Sequence, residues 1–580
     1  MPEELESPFA HLLGTNYVPT DSETRQILNL LSQSLSELCR LDTEIDRLRA
    51  IIYDLLEQRH KTRKFVNDHR ALLSPARRLP SEIVGEIFVH CLPTTRNAVK
   101  STREAPLLLG RICSAWRNIS LLTPRLWSSM HLVIPVHSDP SKIDTIIQLR
   151  CEALKEWLGR SGTLPLSVSL TTSDSYYPHS SPGATPLMAT LIQFSRRWNS
   201  IDLCLPYDLL ESFDILTKDD VPCLEIIKIS MCNWTNVSWH FPILGTAPRL
   251  HRVSFVFFQG NPLNLPLSWA RLTELSLETV NNARSPNFSD ALAMLKQCCN
   301  LQSFTLGIFS ALSGGSSPPS EPVELLALHT LRLRSSLKNS DELTVIFDHL
   351  FTPSLVELEV TSIIHSAISH SALRSHVPFM SLLTRSSCSL ERLTLSEYPI
   401  SSEALIECLH LVPTLTTLFL TDCSWGVSDE VPKTFLNDEL LRLLTATNSE
   451  SAHCLVPLLK SVKLLQCTAI SDEVLIDFIE SRWRRPLAVD VKADIPRTTS
   501  AEVSRDLSGI EASRLTNVQV GFTRAAVVDI SPRVQTLREE GLDIDVYCPF
   551  PDRYGDGMSS LLTVVPRLKK EEVNMTWRLW

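Results

Sequence analysis

The sequence of 580 residues contains only 17 glycines, and none of them belongs to a glycine-rich loop that could cradle phosphate groups. It also lacks the Gly-x-Ser-x-Gly turn that presents a nucleophilic serine and the His-Glu-x-x-His pattern that binds a catalytic zinc ion. These absences exclude the commonest nucleotide-binding, serine-hydrolase and zinc-protease motifs. We therefore expect a protein that is not an enzyme and that holds no cofactor.

Cysteine is present, with 15 residues, but no Cys-x-x-Cys pair occurs, and no apolar run reaches the roughly 18 residues that span a bilayer. The pattern predicts reduced thiols and a soluble, intracellular protein of the cytoplasm or nucleus, without a membrane partner. His365, His370 and His376 lie in a serine-rich segment, and their spacing favours a solvated loop over a metal site. We expect no bound metal.

Clustered positive charge is also scarce. The formal net charge is −10 and the acidic excess is spread along the chain, which argues against a nucleic-acid partner because phosphate contacts need clustered Lys and Arg. The one basic run, from Arg59 to Arg78, is better explained as a solvated helix face than as a phosphate or membrane site.

A heptad pattern follows a lead of 23 residues that we expect to be flexible. Apolar residues recur every seven positions from residue 31, and a second set follows three positions after the later ones. This spacing predicts a coiled-coil helix over residues 24–68. It leaves open whether the helix pairs with a second copy in a homodimer or packs on the helices that follow it. The residues are Leu31, Leu38, Ile45 and Ile52, with Leu41, Leu48 and Leu55.

Residues 72–131 are predicted to form a small helical unit. Pro80 is tolerated in the first turn of a helix, and Ile83, Val84, Ile87, Phe88 and Cys91 would then share one face. A second helix is expected to contain Ile112, Trp116 and Ile119 and to end near Thr123, because the residue before Pro124 disfavours helix.

This stretch resembles the F-box in the order of its residues, from the opening Leu79-Pro80 to the closing Leu126-Trp127. It covers about one twelfth of the chain and departs from the family in one place, where the segment Thr94 to Ala105 is longer than the usual link. The resemblance implies docking onto the Skp-type adaptor of a cullin-RING ubiquitin ligase. Trp116 and Leu126 are equally compatible with internal packing. The implied docking residues are Leu79, Pro80, Ile83, Ile87, Phe88, Leu92, Cys113, Trp116, Leu126 and Trp127.

From Trp198 onward, apolar residues recur at positions one, four and six of a short motif. Chance alone gives roughly 45 matches along a chain with 43% apolar residues, so the motif is weak by itself. Its spacing is informative, because seven of the nine intervals fall within 22 to 29 residues, the period of leucine-rich repeats. The motif begins at Trp198, Leu224, Leu250, Leu272, Leu301, Leu328, Leu355, Leu390, Leu415 and Leu459.

Helical segments separate these predicted strands. Ser471 is expected to cap a helix over residues 470–479, Ser401 to Leu411 follow the same plan, and an extra helix is expected in the 44-residue interval after Leu415. Before the repeats we expect a strand at 130–134 and a helix at 143–158, and after them strands at 487–491 and 542–546.

The predicted fold class is therefore α/β. We expect an F-box unit, a connecting region over 132–197, a leucine-rich-repeat solenoid with a parallel sheet over 198–486, and terminal repeats with a cap over 487–580. In the F-box family such repeats often select the substrate, so the resemblance implies a substrate receptor for ubiquitylation, its target unknown. A non-catalytic scaffold outside a ligase is the alternative. The residues expected to face the target are Glu274, Ser276, Arg332, Arg334, Glu357, Glu359, Arg392 and Thr394.

Overall fold

The computed structural model describes residues 7–134, 140–172, 184–231, 243–256, 258, 261–279, 288–308, 321–335, 340–362, 377, 379–398, 400–422, 435–446, 454–484 and 512–548. The chain divides into two compact units, Met1–Ile87 and Phe88–Trp580. Its class is mixed α/β, as expected, with a helical region followed by a parallel sheet of fourteen strands in the described residues. None of the helices in the described part is long and apolar enough to cross a membrane.

Helix α1 extends over Asp21–Leu72, a few residues beyond the predicted coiled-coil segment at both ends. It begins with a capping box, because the Thr20 N–H donates to the Glu23 carboxylate at 2.8 Å and the Glu23 N–H donates to the Thr20 hydroxyl at 3.4 Å. It ends shortly before Pro75, which cannot continue a helix. The heptad leucines and isoleucines from Leu31 to Leu55 are all exposed.

Helix α2 spans Ser81–His90, and the Val84 N–H donates to the Pro80 carbonyl at 3.1 Å, so the proline stands just before the helix. Helix α3 spans Ser114–Leu121 and ends ahead of Pro124 as expected. Its start differs from the prediction. Ile112 lies in the preceding turn because the Cys113 thiol accepts a hydrogen bond from the Trp116 N–H and caps the helix there.

The sheet is built from strands that neighbour one another in chain order. Two short strands, β8 (Val323–Glu324) and β10 (Leu350–Phe351), pair separately. The sheet strands are β1 (Ser129–Ile134), β2 (Leu166–Thr172), β3 (Trp198–Leu205), β4 (Ile226–Met231), β5 (Arg252–Val256), β6 (Glu274–Glu278), β7 (Ser303–Ile308), β9 (Thr330–Ser335), β11 (Glu357–Ser362), β12 (Arg392–Ser396), β13 (Thr417–Thr421), β14 (Ser461–Cys467), β15 (Asn517–Phe522) and β16 (Asp543–Tyr547).

Helices fill most of the intervals between these strands. Consecutive pairs such as α4 with α5, α8 with α9 and α12 with α13 contact each other. The helices are α4 (Pro140–Arg160), α5 (Thr185–Ile192), α6 (Tyr207–Leu210), α7 (Ile243–Thr246), α8 (Phe288–Leu295), α9 (Ser340–His349), α10 (Met380–Ser386), α11 (Ser402–His410), α12 (Asp438–Leu444), α13 (Asp472–Trp483) and α14 (Ser531–Glu539).

Positions four and six of all ten occurrences of the strand motif lie on observed strands, β3 to β7, β9 and β11 to β14. The register is also as the motif predicts. Position four of each strand pairs with position four of the next, as in Leu358 with Leu393, and position six with position six, as in Val360 with Leu395. Both rows are buried and form the core on one face of the sheet.

The sheet begins earlier than the motif indicates. The sequence predicts β1 as a strand before the repeats and does not predict β2, yet β1 pairs with β2 and β2 pairs with β3, so part of residues 132–197 belongs to the sheet. Pro165 occupies the first motif position of β2, which concealed that strand. Strand β16 confirms the prediction at 542–546, whereas the strand expected at 487–491 and the serine-rich loop with its three histidines lie outside the described residues.

The predicted helices are observed, with one difference in capping. Ser401 caps α11 by accepting the Ala404 N–H at 3.2 Å, and α12 is the extra helix expected after Leu415. Ser471 precedes α13, but its hydroxyl donates to Asp438 at 2.8 Å instead of capping the helix. A carboxylate on the neighbouring helix α12 therefore competes successfully for this hydroxyl.

Candidate functional site

Helix α2 carries two apolar pairs with the same spacing and opposite exposure. Val84 and Phe88 are 5% and 1% exposed, whereas Ile83 and Ile87 are 51% and 46% exposed. Residues four apart stack on one side of a helix, so each pair forms its own stripe and the two stripes are adjacent. The sequence predicts one shared apolar face. The structure divides that face into a buried half and a half that is open to solvent.

Leu79 and Pro80, which precede α2, are both exposed, and the Leu79 side chain is 41% exposed. An exposed large apolar side chain on its own is ordinary, but Leu79, Ile83 and Ile87 recur every four residues. Together with Pro80, these three side chains are the part of the predicted docking set that is exposed in unit Met1–Ile87.

The other six residues of the predicted docking set lie in the second unit, and four of them are Phe88, Leu92, Cys113 and Trp116. Phe88 is buried and its ring contacts that of Trp116 with centroids 4.9 Å apart. Trp116 is half-buried, as is Leu92, and Cys113 is exposed while its thiol caps α3. Phe88 therefore supports the packing of α3, and Leu92, Cys113 and Trp116 keep some accessible surface.

Leu126 and Trp127 are 0% and 2% exposed and offer no surface for docking, which is the internal-packing alternative for Leu126 and differs from the expectation for Trp127. The Trp127 indole N–H donates to the Ser120 carbonyl at 2.8 Å, and its ring meets Trp157 edge-on at 4.9 Å. The Arg160 guanidinium lies over the same ring at 4.5 Å. Trp127 thus joins α3 to α4 at the start of the sheet, which is a structural role.

The long segment Thr94 to Ala105 lies against the first strand of the sheet. Ala98 is buried, and its carbonyl accepts the His131 N–H of β1 at 2.7 Å. Asn97 exchanges hydrogen bonds with Ser167 and Ser169 of β2 at 2.9 and 3.1 Å. Burial, followed by the nearby charge of Arg96, lowers the pKa of His131. The segment therefore covers the otherwise open edge of the sheet.

The second candidate surface is the polar face of the sheet, opposite the buried rows. All eight residues predicted to face a target lie on strands of this face, and each is half-buried or exposed. Glu274 and Ser276 lie on β6, Arg332 and Arg334 on β9, Glu357 and Glu359 on β11, and Arg392 and Thr394 on β12.

Most charges of this face are paired with one another. Glu357 accepts from Arg332 at 2.6 Å and from Arg392 at 2.8 Å, and Glu359 lies 3.3 Å from Arg332. Partial burial works to raise the pKa of Glu357, but the hydrogen bonds from the two arginines outweigh it and hold that pKa below its usual value. The face therefore presents paired positive and negative charges rather than a region of one sign.

The sequence analysis did not single out Glu278, which belongs to the same group of paired charges. Arg334 reaches across Gly307, the residue opposite it on β7, and donates to Glu278 at 2.7 Å. Arg252 pairs at 3.1 Å with Glu274, its direct neighbour on β6. Aligning the repeats at positions three, five and seven of the motif would have placed these charges beside one another.

Among the described residues, no group of three or more His, Cys, Asp or Glu side chains is arranged to hold a metal ion. The buried thiols are positioned as packing groups; burial raises the pKa of Cys408 to about 12. The candidate docking surfaces in the described part of the chain are thus the exposed stripe of α2 and the charged face of the sheet. No family model matches this chain, and no curated protein matches it.

Proposed function

We propose that this chain is the substrate-recognition subunit of a Skp-cullin-F-box ubiquitin ligase. The observation that carries the proposal is the exposed stripe of α2, where Ile83 and Ile87 face solvent beside the buried Val84 and Phe88. A helix that buries one apolar stripe and leaves the next one open is suited to docking on an apolar groove of another protein.

The docking contact proposed for the Skp-type adaptor centres on Leu79, Ile83 and Ile87. Each side chain is about half exposed, so covering all three removes enough apolar surface to contribute on the order of 3 kcal/mol. Pro80, Leu92, Cys113 and Trp116 are the accessible remainder of the F-box-like residues. Phe88, Leu126 and Trp127 serve this proposal indirectly, as the buried support of the helices.

We further propose that the sheet and its helices are a leucine-rich-repeat solenoid. Support comes from the sequential order of the strands, the in-register rows of buried apolar residues and the helices between them. Repeats of this kind present an extended surface on their strands, and such surfaces bind proteins.

The target protein is proposed to bind the charged face of strands β6, β7, β9, β11 and β12. Arg332, Arg334 and Arg392 each form an ion pair with a glutamate, so the face presents positive and negative charges at defined positions. Such a surface selects a partner by electrostatic complementarity at defined positions rather than by net charge. The chain itself performs no chemistry in this account, since ubiquitin transfer belongs to the recruited cullin-RING enzyme. That role implies a location in the cytoplasm or nucleus.

A non-catalytic scaffold outside any ligase is the second candidate. The long helix α1, with its exposed heptad residues, favours it, because a scaffold needs an assembly element but no adaptor. Adaptor binding separates the two candidates.

The test is co-expression of the full chain with a Skp-type adaptor, followed by purification on a tag carried by the chain. We expect a stoichiometric complex that the double variant Leu79→Ala/Pro80→Ala loses. The double variant Leu73→Ala/Pro75→Ala, which changes the same two residue types at exposed positions outside the stretch from Leu79 to Trp127, is the matched control and should retain the complex. Absence of a complex at micromolar concentration, from protein whose circular dichroism shows it folded, would reject the ligase role in favour of the scaffold.

A further inference from the structure

The heptad positions of α1 form an apolar stripe, called the seam below, that is exposed to solvent along its length. Its heptad positions hold Leu31, Leu38, Ile45 and Ile52 in one row and Leu41, Leu48 and Leu55 in the other, and each of these side chains is at least 41% exposed. Flanking leucines and isoleucines widen the stripe. A helix of 52 residues is roughly 78 Å long, and an isolated helix with such a stripe gains stability by burying it.

Charge is divided unequally between the two halves of α1. The first half, residues 21–46, holds six acidic and two basic residues, whereas the second, residues 47–72, holds three acidic and seven basic residues, with histidines not counted. The helix is therefore a charge dipole, negative at its amino-terminal half and positive at its carboxy-terminal half. Two such helices attract each other side by side only when they run in opposite directions.

We propose that α1 forms an antiparallel coiled coil with α1 of a second copy of this chain. Full overlap of two Asp21–Leu72 helices places the two-fold axis between Asp46 and Arg47. In this alignment each residue of the row Leu41, Leu48 and Leu55 faces a residue of the other row on the second copy. Ile45 meets Leu48, Leu41 meets Ile52 and Leu38 meets Leu55 of the second copy.

The charged residues beside the seam also favour the antiparallel orientation. In the antiparallel pair Asp42 lies next to Arg49 of the second copy, and Asp21 lies next to Arg70. The polar seam residues also meet, because Ser34 faces Arg59. All these contacts occur twice in the dimer, since the two-fold axis repeats them.

A parallel, in-register pair of helices would place like charges next to each other at these positions. It sets Arg59 against Arg59 of the second copy within the seam and Glu37 against Asp42 beside it, and the attraction between Glu44 and Arg49 offsets only the second of these repulsions. Like charges at such sites are destabilising, and a charged pair in the seam is the more costly of the two. The charge pattern therefore selects both the occupant of the seam and its direction.

The first arm of the test is the mass of the full chain in solution at micromolar concentration, measured by light scattering after size exclusion. We expect twice the mass of one chain. Leu48→Asp, which places two charges in the seam, should give the mass of one chain. Ala50→Asp adds the same charge on the outer side of the helix and should stay dimeric. A mass of one chain for the unaltered protein, or of more than two, would overturn the proposal.

The second experiment distinguishes antiparallel from parallel pairing by whether one substitution weakens or tightens the dimer. Asp42→Lys replaces attraction to Arg49 by repulsion in the antiparallel pair, so the dimer dissociation constant should rise about tenfold. In a parallel pair the same change would create attraction to Glu37 and tighten the dimer. The double variant Asp42→Lys/Arg49→Asp should restore the affinity. Tightening by the single variant, or no restoration by the double one, would refute the antiparallel pairing.

Discussion

Asp472 stands at the start of α13 with a side chain that solvent does not reach. Its carboxylate lies 2.7 Å from the Arg524 guanidinium and accepts the backbone N–H groups of Val527 and Val528 at 2.7 and 2.9 Å. Burial works to raise the pKa of Asp472, but these hydrogen bonds outweigh it and lower that pKa below its usual value. One carboxylate thus ties the segment after β15 to the preceding repeat.

We predict that Asp472→Asn lowers the free energy of unfolding by about 2 to 4 kcal/mol at neutral pH, because it leaves the Arg524 charge without its partner. The folded-state pKa is lowered, so the stabilisation is present above the unfolded-state pKa near 4 and is lost as pH falls through the folded-state value. Urea midpoints should therefore differ between the two proteins at pH 7 and converge toward pH 3.

Asp477→Asn is the control for this change, since Asp477 is exposed and pairs with Arg533 at 3.2 Å near the surface. It should shift the urea midpoint little at either pH. An equal loss in both variants would mean that Asp472 has no special role.

Exposure at single residues was the least predictable property of the chain. The sequence shows that Ile83, Val84, Ile87 and Phe88 lie on one side of α2, but helical spacing cannot say which stripe faces solvent. Trp127 was assigned to docking because of its place in the F-box-like pattern. It also begins a strand motif with Met130 and Leu132, which is the signal that would have predicted its burial.

At the scale of elements, the strand register was the strongest prediction. The ten motifs are weak one by one, but their regular spacing predicts strands. The sheet pairs these strands in register because each strand buries its residues at positions four and six. Strand β15 begins the same motif at Leu515 but was missed, since the sequence interval before it is long. Strand β16 has Gly541 at position one and was recognised only by its alternating residues.

Leu393 lies at the centre of this arrangement, fully buried in β12 between Leu358 and Leu418. We predict that Leu393→Asp opens strands β11 to β13, because an unpaired buried charge costs several kcal/mol. Hydrogen exchange should show lost protection there and retained protection in β1 and β2, since neighbouring strands carry most of the coupling.

Thr394→Asp is the matched control, because the adjacent side chain projects to the opposite, polar face. Protection of β11 to β13 should change little in this variant. Equal exposure of β1 and β12 in the Leu393 variant would contradict local coupling and point to one cooperative sheet.

For the whole molecule, the α/β class and the succession of helices then sheet were predictable, whereas the extent of the sheet was not. Composition and motif spacing placed its start at Trp198, but the structure begins it at Ser129 and covers its edge with the segment after Pro93. That segment departs from the F-box pattern in length, and its contacts with β1 and β2 explain the extra residues. The contacts of that segment with β1 and β2 leave no local signature in a single sequence.

The central claim is that the exposed stripe of α2 docks a Skp-type adaptor. The most direct measurement is the dissociation constant between the purified full chain and the adaptor, compared for the unaltered protein, Ile87→Asp and Ile215→Asp. Ile215 is 72% exposed and lies outside the F-box-like stretch, so it controls for the same substitution elsewhere.

We expect Ile87→Asp to weaken adaptor binding at least about thirtyfold, because a carboxylate buried in an apolar contact costs about 2 kcal/mol or more. The Ile215 variant should bind as the unaltered chain does. Equal binding by all three proteins would contradict the account, since the stripe that carries it would then contribute nothing to the contact.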